Sequence, residues 1–527
     1  MNHSDKKVHT FKNIKNMKRL IYINLILATL LFSAGCKKGF LSDLAVNPNQ
    51  PSQAPASLIL PPILTGYASS TYFSSSTMGL WMGYYSISGG YATTQNGLTY
   101  YVNSAGPSTW DGLYAILKNT AYIENNSSSD PLGAYSVAAA KILKCWGFQK
   151  LVDAYGNVPY SEAFKGSANF FAKYDDGQSI YDSCIAQLGN AINLINNADV
   201  NSTNLGSNDI LFGGDMTLWA KFANTLKLRF IVRQSNIIEA SEASAEIAKT
   251  ASIGYLEQDA LVNPGYLNTA GKQSPLWSAY GVDPGGSLYS DGYNYLRGGG
   301  ASVEFFKDNN DPRLFYVFAP DGSAPNKSEF VQTIDTFERY HGVYYGDRTA
   351  AAAQGNTGTV GIGNGVMNNY GAPVPLMLAA ESYFLQAEAA ERGWTSDDAE
   401  TLYNEGITAS FEYLYAQAGK SAASADVDAS TYYNQSSVKY DNTIKSIIVQ
   451  KWAALSGINS FEAWTEYRRT GYPDVSILPL SKYTPLTSHI PTKLMYPNSE
   501  QSNNQTNYNA AVAKGNDPQS TKVFWMP

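Results

Sequence analysis

The chain has 527 residues, 44% of them hydrophobic and only 15% charged, with a formal net charge of −7. That supplies enough apolar material for a sizeable core, and it leaves a surface finished with Ser, Asn, Thr, Gly and Tyr. The acidic balance, with no basic cluster in the folded part, excludes nucleic acid as a partner.

The first 35 residues read as a targeting segment. Lys18 and Arg19 precede the apolar run Leu20–Phe32, which is too short to span a membrane. Ser33, Ala34 and Gly35 then lead into Cys36, a small-residue approach resembling the bacterial lipoprotein box, in which the cysteine is lipidated. A plain secretory signal with a chance cysteine is the alternative. Residues 1–35 carry six Lys/Arg and one acid, a net +5, so the chain without them stands at −12 rather than −7. Cys145 and Cys184 remain. Each lies in an apolar helical pattern and reads as a buried thiol, with a disulfide between them still open.

Lys37–Asn49 reads as an extended tether, and packed structure begins at Leu58–Thr65. Tyr67–Tyr101 holds nine aromatic residues among Gly and Ser, too many for all to be core. Helical periodicity then marks Trp110–Glu124, Ala134–Tyr155, Ser179–Asn196, Thr217–Gln234 and a shorter segment near Ile237–Thr250. Tyr255–Gly371 differs in kind. Gly, Asn, Pro and Tyr dominate it, and short strands are expected at Tyr293–Tyr295 and Phe315–Phe318. Val374–Trp394 restores the helical pattern, with Pro375 at its first position and Gly393 past its last turn. Thr395 and Asp398, at capping-box spacing, introduce a second helix, so the two form an antiparallel hairpin. Further helices are predicted at Asn442–Leu455 and Ser460–Arg468, before a loop-rich end. Helix pairs recur without strict period, a degenerate repeat of tetratricopeptide kind.

No catalytic constellation is legible. His341 and His489 are isolated in loops, and neither an HExxH motif nor a phosphate loop occurs. No cofactor is expected. Asp308–Asp311 is oxygen-rich but lacks EF-hand spacing, so it reads as a solvated turn. Aromatic residues in loop context suggest binding instead, because sugar rings stack their apolar faces on Trp and Tyr while amides and charges meet the hydroxyls. Trp81, Tyr84, Tyr85, Trp277, Tyr280, Tyr293 and Arg297 are the candidate ligand residues. Trp110, Trp146, Trp219, Trp394, Trp452 and Trp464 lie in helix patterns and read as core.

With these residues in place, the chain resembles the SusD-like (SusD/RagB) family of nutrient-binding outer-membrane lipoproteins. Cys36 with its signal is the first point of contact. LVDAYGNVPY at Leu151–Tyr160 and WAKFANTLKLR at Trp219–Arg229 are similar to family motifs. So are Asn263–Tyr266, Asp311–Arg313, Met377–Gly393, Glu462–Arg469, Tyr496–Pro497 with Glu500, and Asn507–Tyr508. The resemblance implies a mainly α fold, a tetratricopeptide-like helix-pair scaffold with a large loop-rich cap and few short strands. It implies the division 1–35 signal, 36–57 lipidated cysteine and tether, and 58–527 a single domain. Within that domain the scaffold falls at about 109–250 and 374–418, and the ligand-binding cap at about 66–108, 255–372 and 420–527. It also implies a membrane attachment through lipid, an oligosaccharide or peptide ligand, and a TonB-dependent SusC-like transporter as partner. A lid with little ligand affinity of its own is a further reading.

Overall fold

Residues 54–88, 99–102, 109–128, 130–289, 292–320, 336–348, 360–483 and 489–527 are described by the structure, a computed structural model. Cys36 and the tether lie outside them. The periodic segments fold as helices, preceded by α1 (Ala56–Trp81), which runs on through the passage from Tyr67 expected to be irregular; they are α2 (Thr109–Ser127), α3 (Ala134–Tyr155), α4 (Gly177–Asn196), α5 (Met216–Arg233) and α6 (Ala240–Ala248). Side-chain caps fix several starts. Asp176 accepts from the N–H groups of Gln178 and Ser179, and Asp215 from those of Thr217 and Leu218. Each helix packs on the next from α1 to α5. The chain is mainly α, built on helix pairs, with short two-stranded pairings only among the described residues.

The irregular half contributes β1 (Tyr85–Ile87), β4 (Ala260–Val262), α7 (Pro275–Tyr280), β5 (Leu296–Gly298) and α8 (Gly300–Asp308), after β2 (Val158–Pro159) and β3 (Tyr174–Asp175) at the end of α3. Here the structure departs from the expected elements. Gly292–Tyr295 and Leu314–Val317 are single helical turns, and the strands come directly after them, β5 and β6 (Phe318–Ala319). β1 pairs antiparallel with β5, β2 with β3, and β6 with β7 (Gly361–Ile362).

Val374–Met377, expected inside a helix, is the strand β8, paired with β4 through Leu261 and Pro375. The reason is local: a residue before proline is pushed out of the helical region, and a two-stranded ladder tolerates proline's missing N–H. α9 (Ala379–Glu391) therefore begins two residues later, where the Asp259 carboxylate accepts from the Ala379 N–H at 2.8 Å. Gly393 follows it with φ +69, as its place past the last turn requires. α10 (Ala399–Gln417) starts at Asp398, which caps Thr401, rather than at Thr395. α9 and α10 cross closely because Gly406 has no side chain: a Cβ there would lie 2.8 Å from the Phe384 ring. α11 (Ala422–Tyr433), α12 (Ile444–Ala454) and α13 (Ser460–Thr470) complete the helices that matter below.

The scaffold core contains charge. Arg233 on α5 bonds Glu462 on α13 at 2.6 Å, and it also reaches Glu466. Lys451 on α12 meets both acids, Arg469 clamps Glu388 on α9 at 2.6 Å, and Arg229 holds Glu381 at 2.9 Å. All of these side chains are buried. Cys145 and Cys184 are buried free thiols, with Cys145 Sγ donating to the Cys184 carbonyl at 3.5 Å.

Candidate functional site

The seven expected ligand residues are all at most 7% exposed. Trp81 ends α1 and packs on Trp464, ring centroids 5.5 Å apart. Tyr84 donates its hydroxyl to the Trp452 carbonyl at 2.6 Å, and Tyr85 to that of Gly457 at 3.3 Å. Trp277 Nε1 donates to the Val282 carbonyl at 3.0 Å, and Tyr280 is buried on the same short helix. Arg297 lies over the Tyr293 ring at 5.3 Å, both inside the protein. All seven side chains stand inside the fold. Glycine- and serine-rich flanks suggested open loops, but Trp81, Tyr84 and Tyr85 meet residues more than 360 positions downstream, and Trp277 and Tyr293 have partners within their own segments. The six tryptophans expected in the core are buried.

What the irregular half does open to solvent is a polar cleft of about 310 Å³ between α8 and the segment leading into α12. Gly298, Gly299 and Gly300 set α8 in place. A Cβ on Gly299 would lie 2.1 Å from the Gly83 carbonyl oxygen, so only glycine lets α8 start this close to the turn after α1. Phe305, Val449 and Tyr403 form the apolar floor. Tyr403 is pinned by its hydroxyl on the Val438 carbonyl at 2.6 Å. Gln450 is fixed between Arg313, at 2.8 Å, and the Tyr432 hydroxyl, at 3.0 Å. Glu304, Asp308 and Asn309 stand on one wall, with Lys439, Asp441 and Lys445 on the other.

The half-buried Tyr344 ring lies at the edge of this cleft. Lys482 Nζ sits 4.5 Å from its centre and pairs with Asp347 at 2.9 Å. Lys445 bonds Asp474 at 2.7 Å, and that bond, with those from Ser476, holds the Asp474 carboxyl down at about 2. An apolar floor, one aromatic edge and a rim of carboxylates, amines and amides can hold a hydroxyl-rich ring by stacking and hydrogen bonding.

Sequence reasoning missed Tyr344, Glu304 and Lys445, which no motif singles out. It touched the site only at Asp308–Asp311, and there the solvated-turn reading holds in part. Asp308 and Asn309 line the cleft, but Asp311 is fully buried against Arg313 at 2.7 Å. Among the described residues no group of three or more His, Cys, Asp and Glu could hold a metal ion, and no helix is long and apolar enough to cross a membrane.

A helix-pair scaffold carrying an irregular half with a polar cleft defines a binding protein's architecture. Comparison with known proteins names the family: the chain belongs to the SusD-like family, whose model, described as starch-binding and associating with the outer membrane, matches residues 48–497. Among solved structures, one called a chitin-binding protein is 28% identical, with a TM-score of 0.74, over 90% of this chain and 100% of the other. A chitin-binding SusD homolog from Flavobacterium johnsoniae is 24% identical, TM-score 0.66, over 88% and 98%. A SusD homolog from Bacteroides fragilis is 23% identical, TM-score 0.71, over 90% and 99%. No curated protein matches the chain.

Proposed function

We propose that this protein captures an oligosaccharide at the outside of the outer membrane, tethered there by lipid on Cys36, and passes it to a TonB-dependent SusC-like transporter. The observation that carries this reading is the end-to-end similarity to a protein described as chitin-binding, within a family described as starch-binding. The cleft at Tyr344 supports it, since its chemistry suits a sugar: an apolar floor of Phe305 and Val449 for the C–H face, with Glu304, Asn309, Asp441 and Lys439 for hydroxyls and amides.

The test is calorimetric titration of the protein from Gly39 onward with chitohexaose, maltohexaose and a peptide digest. Saturable binding of one hexasaccharide, weakened about tenfold, or ~1.4 kcal/mol, in Tyr344→Ala, is the expected result. Binding of peptides alone would replace the substrate class and keep the capture role. Binding of none, with a barrel protein still co-purifying from native membranes, would leave a lid.

A further inference from the structure

Beyond the cleft, two aromatic rings stand out in solvent. Phe170 is 73% exposed and Phe171 64%, next to one another in the loop between β2 and β3. Exposed phenylalanines on a slack loop would mean little, but this loop is braced from both sides. Phe164 takes a left-handed backbone, φ +63, and turns its ring inward to lie 6.0 Å from Tyr114 and 6.3 Å from Phe148. Glu162 accepts from the Asn169 side chain at 2.9 Å and the Lys173 N–H at 3.1 Å. From across the molecule, Asn507 donates to the Phe171 carbonyl and Asn504 to that of Ala172, each at 2.9 Å. Glu500 accepts from Tyr174 at 2.7 Å. The backbone is thus tied down at the two rings while the rings themselves are left uncovered.

We propose that Phe170 and Phe171 form a stacking platform for a polysaccharide chain, separate from the cleft and engaged only by long polymers. This rests on the capture reading above. The size of the patch favours a glycan over a protein: two phenyl side chains offer roughly 300–500 Å² at most, against the ~800 Å² per partner of a stable protein interface. Its surroundings agree, for Lys165, Ser167 and Lys173 in the same loop are exposed and Asn169 is partly so, polar groups flanking a narrow apolar centre.

Retention on chitin and amylose beads, beside titration with the matching hexasaccharides, tests the platform. Phe170→Ser/Phe171→Ser is expected to lower bead retention on the order of tenfold, with hexasaccharide binding and thermal midpoint unchanged. Phe170→Leu/Phe171→Leu, apolar but not flat, is expected to lose retention too, and Phe170→Trp/Phe171→Trp to keep it. Retention unaffected by the serine pair, or preserved by leucine, overturns the platform. So does loss by the serine pair only of flotation with phosphatidylglycerol vesicles. Wild-type protein that binds hexasaccharides but not beads overturns the platform alone, whereas protein that binds neither overturns the capture reading with it.

Discussion

The two halves of this protein hold themselves together with different chemistry. Between α5, α9, α12 and α13 the helix-pair half buries formal charges, with Arg233, Arg469 and Lys451 shared among Glu388, Glu462 and Glu466. The irregular half also buries the pair Arg313–Asp311, but it leans on aromatic side chains whose polar atoms reach carbonyls at a helix end and in loops: Tyr84 to Trp452, Tyr345 to Thr99, Trp277 to Val282. Regular helices satisfy their own backbone, so their facing side chains are free to pair with each other. Short loop segments leave carbonyls open, and a tyrosine or tryptophan can fill space and supply the missing donor at once.

The contrast can be broken most sharply at Arg233. Arg233→Met leaves Glu462 and Glu466 to Lys451 and Arg469, with too few cations for the buried acids, and urea unfolding is expected to show a loss of about 3–5 kcal/mol. Acid titration separates the halves next. Burial alone would raise the Glu388 carboxyl, but Arg469 and Arg392 outweigh it and hold it at about 2. Its folded value lies below the unfolded one, so its contribution is present above about pH 4.5 and lost as pH falls toward 2. Asp259, under the start of α9, is raised by burial to about 6. Its contribution is present below about pH 4 and lost as pH rises through 6. Thermal midpoints of Asp259→Asn should therefore lack the decline that the wild type shows from pH 4 to 6.

In the irregular half, Gly299→Ala forces a methyl group against the Gly83 carbonyl and is expected to cost about 1–3 kcal/mol, read by the same urea transition. Trp277→Phe keeps most of the ring and removes the bond to Val282. A loss of about 1 kcal/mol is expected, and no loss would show that the bond is dispensable.

Legibility in the sequence followed the same division. Helical period and capping residues placed α2 to α5, α10, α12 and α13 closely, because those signals act within a few residues, whereas α11 and most of α1 were not read from the sequence. Pro375 misled, since a first-turn proline and a strand proline look alike until the partner strand at Leu261 is known. The burial of the aromatic ligand candidates was illegible for the same reason at longer range: what covers Trp81 is Trp464, and what Tyr84 bonds is Trp452. The Tyr344 cleft gathers side chains from five separate stretches of chain, none of which is distinctive alone.

The aromatic ties have a bearing on how the protein is made. Tyr84 waits for a carbonyl 368 residues downstream, Asp153 for an indole N–H 372 residues later, and the Tyr100 hydroxyl for the Ser481 N–H across 381. A chain synthesised from its N-terminus cannot close these contacts until nearly all of it has emerged. Contacts from α1 to α5 join successive helices and can form as those helices emerge, so these long ties are the last parts of the fold to close.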